Sequence, residues 1–208
     1  MQTKTEKPVT SHRERQKAET YVAIFDTAKA LFEKLGFEKT TFKKIGEKAG
    51  ITPGAIFKHF ENKSALLAAA LYNDIQSIQE RVFDQIPKNE TLLNQFLFIA
   101  EQFFDYYRKR PKLSKVLVHH SVFIEGEWAT KFNVQSMKLV DKISQLVQEA
   151  KTQKKIEDYV DSKTLASALF SHYLFVLIIT VKENLSSGTA IDTLKSFADL
   201  TVSGASIK

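Results

Sequence analysis

The chain has 208 residues, 26% charged and 43% hydrophobic, a make-up that supports an ample core and excludes a wholly disordered protein. It has no cysteine, which rules out disulfides and thiolate metal sites and fits a reducing cytoplasm. The net charge of +6 is uneven: residues 1–64 hold 13 Lys or Arg against 8 Asp or Glu, and residues 65–208 hold 17 against 16, so the end that attracts phosphates is the N-terminal one.

Residues 1–17 are polar, contain Pro8 and lack apolar periodicity, so they read as a flexible basic arm. Arg13, Arg15 and Lys17 are its candidates for reaching a groove of DNA. The segment has no apolar core of the kind that marks a secretory signal. From Tyr21 the apolar residues Ile24, Phe25, Ala28, Leu31, Phe32 and Leu35 recur at three- and four-residue steps, and Gly36 stops them. This predicts a first helix that buttresses the two short ones that follow.

Thr41 is placed to cap a helix with Phe42 and Ile45 on its inner face, ending at Gly50. A second helix restarts at once, with Thr52 as cap, Pro53 at its first position, and Ile56, Phe57 and Phe60 as the expected inner face. Only Gly50 and Ile51 separate the two, so they must cross steeply, which is the geometry of a helix-turn-helix. Lys43, Lys44, Lys48, Lys58 and His59 accompany the pair. A helical hairpin with a packing role alone shares the pattern.

The string TTFKKIGEKAGITPGAIFKHFENKSALL resembles the N-terminal domain of the TetR family of transcriptional regulators, and the likeness in residue pattern runs from about Ala18 to Leu71. The resemblance implies that Thr41, Lys43, Thr52, Pro53, Phe57, Lys58, His59 and Lys63 meet DNA, with Gly54 and Ala55 letting the recognition helix approach the bases. Two positions depart from the family pattern. Phe57 stands where Tyr is usual, which removes a hydroxyl that could donate to phosphate, and Gly46 stands where Ala is favoured, at a cost of roughly 1 kcal/mol in helix propensity.

Asn62 is a candidate cap for a long fourth helix carrying Leu67, Leu71, Ile75, Ile78 and Val82 toward Pro87. It joins the basic domain to the rest and is the natural lever between them. Further helices are expected near 90–110, 111–124, 127–153, 162–184 and 190–202, with breaks at Pro111, Gly126, residues 151–161 and residues 186–188. An all-α protein of about nine helices follows: an arm at 1–17, a helix-turn-helix domain at 18–64, and an effector-binding and dimerisation domain at 65–208.

Residues 165–181 are apolar enough to suggest a membrane span, yet they fall short of the roughly twenty residues one needs and include Ser167, Ser171 and His172. A helix apolar nearly all round is instead buried on more than one face. With the helix at 190–202 it would form a four-helix interface between two copies, a mode of dimerisation similar to that of the TetR family. A two-fold protein reads a two-fold operator.

The middle helices are rich in aromatic residues, most of which should be core. A cavity between bundle helices is the usual place for a small molecule, and the candidates to touch one are Phe103, Phe104, Tyr107, His119, His120, Phe123, Trp128, His172 and Tyr173. Such a lining suits an apolar effector. No Cys nucleophile, Gly-rich phosphate loop or H-E-x-x-H spacing is present, and the adjacent His119 and His120 point apart on a helix, so no catalytic residue, metal site or cofactor is expected. The reading is a cytoplasmic, homodimeric, ligand-responsive DNA-binding regulator, a repressor released from a palindromic operator by its effector. Its alternative is an architectural or helical interaction protein that binds DNA without an effector.

Overall fold

The structure, a computed structural model, describes residues 12–123 and 125–207, without the side chains of residues 13 and 120–123. The described residues form nine α-helices and no strand. They fall into two compact units that divide between Ala70 and Leu71.

The first unit begins with α1 (His12–Leu35), which corrects the expected arm: residues 12–17 are helical. Their sequence, HRERQK, lacks periodicity because this turn and a half is solvent-exposed wherever it is described, and its Arg, Glu, Gln and Lys are good helix formers. Residues 1–11 of the arm lie outside the described residues. Ile24, Ala28 and Phe32 turn inward from α1 and are at most 1% exposed. Helix α2 (Phe42–Ala49) and helix α3 (Pro53–Phe57) bury Phe42, Ile45 and Ile56 in the same core. Phe60 follows, packed edge-on against Tyr21 with ring centres 5.7 Å apart. Helix α4 (Lys63–Gln85) starts in this unit, where the Asn62 side chain accepts from the Ala65 amide at 2.8 Å.

In the second unit α4 is followed by α5 (Leu92–Arg108), α6 (Pro111–Phe123), α7 (Gly126–Thr152), α8 (Ser162–Glu183) and α9 (Ser187–Ala205). Side-chain caps from Thr91, Asp161 and Ser186 start α5, α8 and α9. Helix α7 packs along α8, and α9 packs on both α5 and α8. Phe96, Ile99, Phe103 and Phe104 of α5 are the heart of the core, each at most 2% exposed. The polar stretch before α8 is held locally: Lys151 Nζ donates to the carbonyls of Asp158 and Val160 at 2.9 and 2.7 Å. An isolated antiparallel bridge between Ile156 and Ser206 ties that stretch to the end of α9.

Helix α8 is long and apolar enough to cross a bilayer, with 44% of its most apolar window buried. Its inner side carries Leu165, Leu169, Tyr173 and Val176, and its outer side exposes Leu174, Phe175 and Ile178.

Candidate nucleic-acid interface and ligand cavity

The turn between α2 and α3 is built by three residues that each solve a backbone problem. Gly50 closes α2 in the left-handed conformation, at φ 69°, and its amide donates to the Gly46 carbonyl. The Ile51 amide donates to the same oxygen at 3.0 Å, so the chain folds back tightly over Gly46. A Cβ at Gly46 would collide with the Ile51 carbonyl oxygen. The tight turn therefore favours glycine at this position, which offsets its cost in helix propensity.

Thr41 Oγ1 accepts from the Lys44 amide and Thr52 Oγ1 from the Ala55 amide, each at 3.3 Å, so both threonines act as helix caps. Both are exposed or at the surface, as are Lys43, Pro53, Gly54, Lys58 and His59, while Ala55 is half-buried. Phe57 does not join the inner face with Ile56 and Phe60. It is 58% exposed and lies edge-on to Phe42 at 4.6 Å, because a helix of five residues can turn only one side inward. A Cβ on Gly54 would meet nothing within 4 Å, so the protein's own packing does not require glycine there.

His59 is placed by a residue that periodicity alone does not single out for the site. Its Nδ1 lies 3.1 Å from the Tyr21 hydroxyl, and the two rings are 4.8 Å apart. Lys63, which the resemblance implies to meet DNA, is also engaged within the unit. Its ammonium donates to the Phe37 carbonyl at 2.6 Å, sits 4.2 Å from the Phe37 ring centre, and lies 3.8 Å from a Glu38 carboxylate oxygen. Lys63 thus locks the loop between α1 and α2. Lys44 is similarly engaged, donating to the Lys39 carbonyl at 2.7 Å. Among the described residues the Lys43 and Lys58 side chains have no ion-pair partner, and Lys48 of α2 likewise has none.

In the second unit a cavity of about 460 Å³ lies among α4, α5, α6, α7 and α8. Phe103, Tyr107 and Tyr173, three of the nine sequence candidates, line it. Phe104 is fully buried behind it, stacked on Tyr173 at 5.6 Å. Trp128 is half-buried outside the lining, facing Tyr72 and Phe132 at 6.2 and 6.5 Å and carrying the Lys131 ammonium 4.3 Å above its ring. His119 is exposed, and His172 turns toward α9, 2.8 Å from the Thr201 hydroxyl and 5.9 Å from the Phe197 ring. The side chains of His120 and Phe123 lie outside the described residues.

Sequence reading missed Gln79 and Gln135, which line the cavity at 5% and 4% exposure. Gln79 Nε2 donates to the Gln135 carbonyl and Gln135 Nε2 to the Tyr72 carbonyl, both at 2.9 Å, and this pair bolts α4 to α7. A signal for both was present. Each is an amide at an apolar-stripe position, Gln79 between Ile75 and Val82 and Gln135 between Phe132 and Leu139. Burial raises the pKa of the Tyr107 and Tyr173 hydroxyls, so both stay protonated and able to donate at neutral pH. Nearby, Asp74 of α4 accepts from the Tyr106 hydroxyl at 2.9 Å and lies 3.6 Å from Arg110. Desolvation is the larger cause of the raised Tyr106 pKa, and the Asp74 carboxylate adds to it.

Comparison with known proteins places this arrangement. The profile of the family described as bacterial regulatory proteins, tetR family, matches residues 24–70, which run from α1 into α4. The nucleoid occlusion factor SlmA of Mannheimia succiniciproducens is 27% identical over 95 residues, 46% of this chain and 44% of that protein. The HTH-type transcriptional repressor Rv1474c of Mycobacterium tuberculosis is 25% identical over 179 residues, 85% of this chain and 88% of that one. The chain spans about half the length of the first curated relatives it matches, 44% of SlmA and 58% of the regulator YerO of Bacillus subtilis. Among solved structures, the transcriptional regulator FadR from Bacillus subtilis in complex with stearoyl-CoA superposes with a TM-score of 0.72 at 18% identity, covering 88% of this chain and 98% of that one. That likeness is one of fold. The family match falls on the helices that build the exposed α2–α3 surface, so residues 24–70 are similar to the DNA-binding region of the bacterial regulatory proteins of the tetR family.

Proposed function

We propose that the chain is a ligand-responsive transcriptional regulator that binds a two-fold operator as a homodimer and acts as a repressor released by a small, mostly apolar effector. The observation that carries the DNA-binding half is the α3 surface. Its first turn presents Thr52, Pro53 and Gly54 to solvent with open space over Gly54, and Lys58 follows without an ion-pair partner among the described residues. A helix with a bare N-terminal turn and flanking cations suits a major groove, where small residues permit close approach and Lys43 and Lys58 neutralise phosphates or read bases. A protein acting on the chromosome works in the cytoplasm.

The cavity supports the effector, and the exposed apolar residues of α8 and α9 support the dimer: Phe175 is 54% exposed, Phe197 38% and Leu200 78%. For release, the ligand must bind the arrangement that does not bind DNA more tightly, and a tenfold loss of operator affinity needs roughly 1.4 kcal/mol of such preference. Helix α4, whose residues belong to both units, is the element through which that preference is passed on. A second reading, DNA binding with no effector, is favoured by the likeness to a nucleoid occlusion factor. The roomy cavity favours the first.

The test is to incubate the purified protein with sheared DNA from its source organism at near-physiological salt and to sequence what is retained. A few fragments sharing an inverted repeat are expected. Uniform, salt-sensitive retention would favour the second reading, and no retention would remove the DNA-binding role altogether.

A further inference from the structure

The cavity's polar groups narrow what it can hold. Both glutamine amides are oriented by the carbonyls they donate to, since a carbonyl accepts only from the Nε2 side. This leaves the carboxamide oxygens of Gln79 and Gln135 as acceptors, and among the described residues neither has a partner. The hydroxyls of Tyr107 and Tyr173 likewise have no hydrogen-bond partner among the described residues. Among the described residues the side-chain polar atom sealed from solvent without a partner is Thr180 Oγ1, so these four atoms, on residues that line the cavity, are reached by solvent and are open to a ligand that displaces it. No Asp, Glu, Lys, Arg or His stands among the described lining residues. A carboxylate or ammonium placed there would be desolvated without a counter-charge. Leu174, Ile178 and Met137 both line the cavity and are exposed, so it opens to the surface between α7 and α8.

Size sets a further bound. An apolar cavity of about 150 Å³ holds one benzene, so about 460 Å³ has room for roughly eighteen non-hydrogen atoms.

We infer that the effector of the proposed regulator is an uncharged, largely apolar molecule of about that size with one polar end bearing a hydrogen-bond donor, such as an alcohol, phenol or amide, held between the glutamine oxygens and the tyrosine hydroxyls. The inference rests on the regulatory reading for its consequence but not for its chemistry. A ligand donating to Gln79 or Gln135 bonds directly to the pair that fastens α4 to α7, so binding is felt by the helix that continues into the DNA-binding unit.

The test uses the full chain and N-phenyl-1-naphthylamine, an uncharged fluorescent probe of matching size with one N–H donor, displaced in turn by 1-tetradecanol, tetradecanoate and tetradecane at neutral pH. The probe's emission should rise on binding. The alcohol should displace it about tenfold more tightly than either the carboxylate or the alkane, the ratio expected for one buried hydrogen bond gained and one unpaired charge avoided. Tyr107→Phe and Tyr173→Phe, which change little but a hydroxyl, and Gln79→Leu should each narrow the gap between alcohol and alkane. Equal displacement by alcohol and alkane, tighter displacement by the carboxylate, or no binding of the probe would each overturn the inference. Operator affinity of the ligand-free protein, measured alongside, separates the two readings: intact DNA binding with no cavity selectivity sinks this inference alone, and cavity selectivity without any effect on DNA sinks the regulatory coupling alone.

Discussion

A Cβ added at Gly46 runs into the Ile51 carbonyl, whereas one added at Gly54 meets only open space. Gly46→Ala should therefore destabilise the protein by about 1–3 kcal/mol in urea unfolding, because backbone overlap outweighs the roughly 1 kcal/mol that alanine adds to helix propensity. A gain in stability would mean that the turn relaxes at little cost. Gly54→Leu should leave the unfolding midpoint within error of the native protein and, if the proposed groove contact holds, weaken operator binding at least tenfold, since a Cβ there meets nothing within 4 Å among the described residues. Retained affinity would remove α3 from the groove. Lys63 divides from Lys43 in the same way. Lys63→Met keeps the apolar stem but loses the bond to Phe37 and the charge over its ring, so it should cost about 1–2 kcal/mol of stability and leave the salt dependence of DNA binding unchanged. A shallower salt dependence would return Lys63 to the phosphate backbone.

At the scale of helices, α3 has five residues, too few to hold without help, and its Thr52 cap and tertiary contacts keep it formed. Asp161 caps α8 by accepting from the Thr164 hydroxyl and backbone amide, both at 2.7 Å, and these bonds hold its carboxyl below the ordinary value. A depressed folded-state pKa contributes stability that is present above the unfolded-state value, about pH 4, and is lost as pH falls through the folded-state one. The stability advantage of the native protein over Asp161→Asn should therefore shrink between pH 7 and pH 3 in urea midpoints; an advantage that grows toward acid would contradict the cap. Helices of this kind are legible in the sequence because Thr, Asn, Asp and Ser caps and three- and four-residue apolar steps mark them. The first turns of α1 escape such a reading because a solvent-exposed helical turn has no inner face to make a pattern. The inward expectation for Phe57 fails because apolar spacing does not reveal how short α3 is. The aromatic residues of α5 and α8 point to the cavity only in part: spacing puts Phe103, Phe104 and Tyr107 on one side of a helix, but which of them ends at a void depends on packing across five helices. Gln79 and Gln135 are visible as amides within apolar stripes, a local conflict of the kind that binding sites carry.

For the whole molecule, the proposed function divides among three surfaces: the α2–α3 face, the cavity, and the outer apolar side of α8 and α9. Phe175 and Phe197 lie 6.0 Å apart on that side, which also carries the exposed Leu200. Phe175→Asp and Leu200→Asp should convert a dimer to a monomer in sedimentation velocity and weaken binding to a two-fold operator far more than to a half-site. A chain that is monomeric before mutation would require another way of reading a palindrome. The central claim is that the exposed α2–α3 face reads DNA, and the most direct measurement is the affinity of the native chain, Lys43→Ala and Lys58→Ala for a retained genomic fragment across a range of salt. Both variants should bind about tenfold or more weakly, with the slope against salt falling by about one for each phosphate that is no longer neutralised. Unchanged affinity in both would contradict the claim.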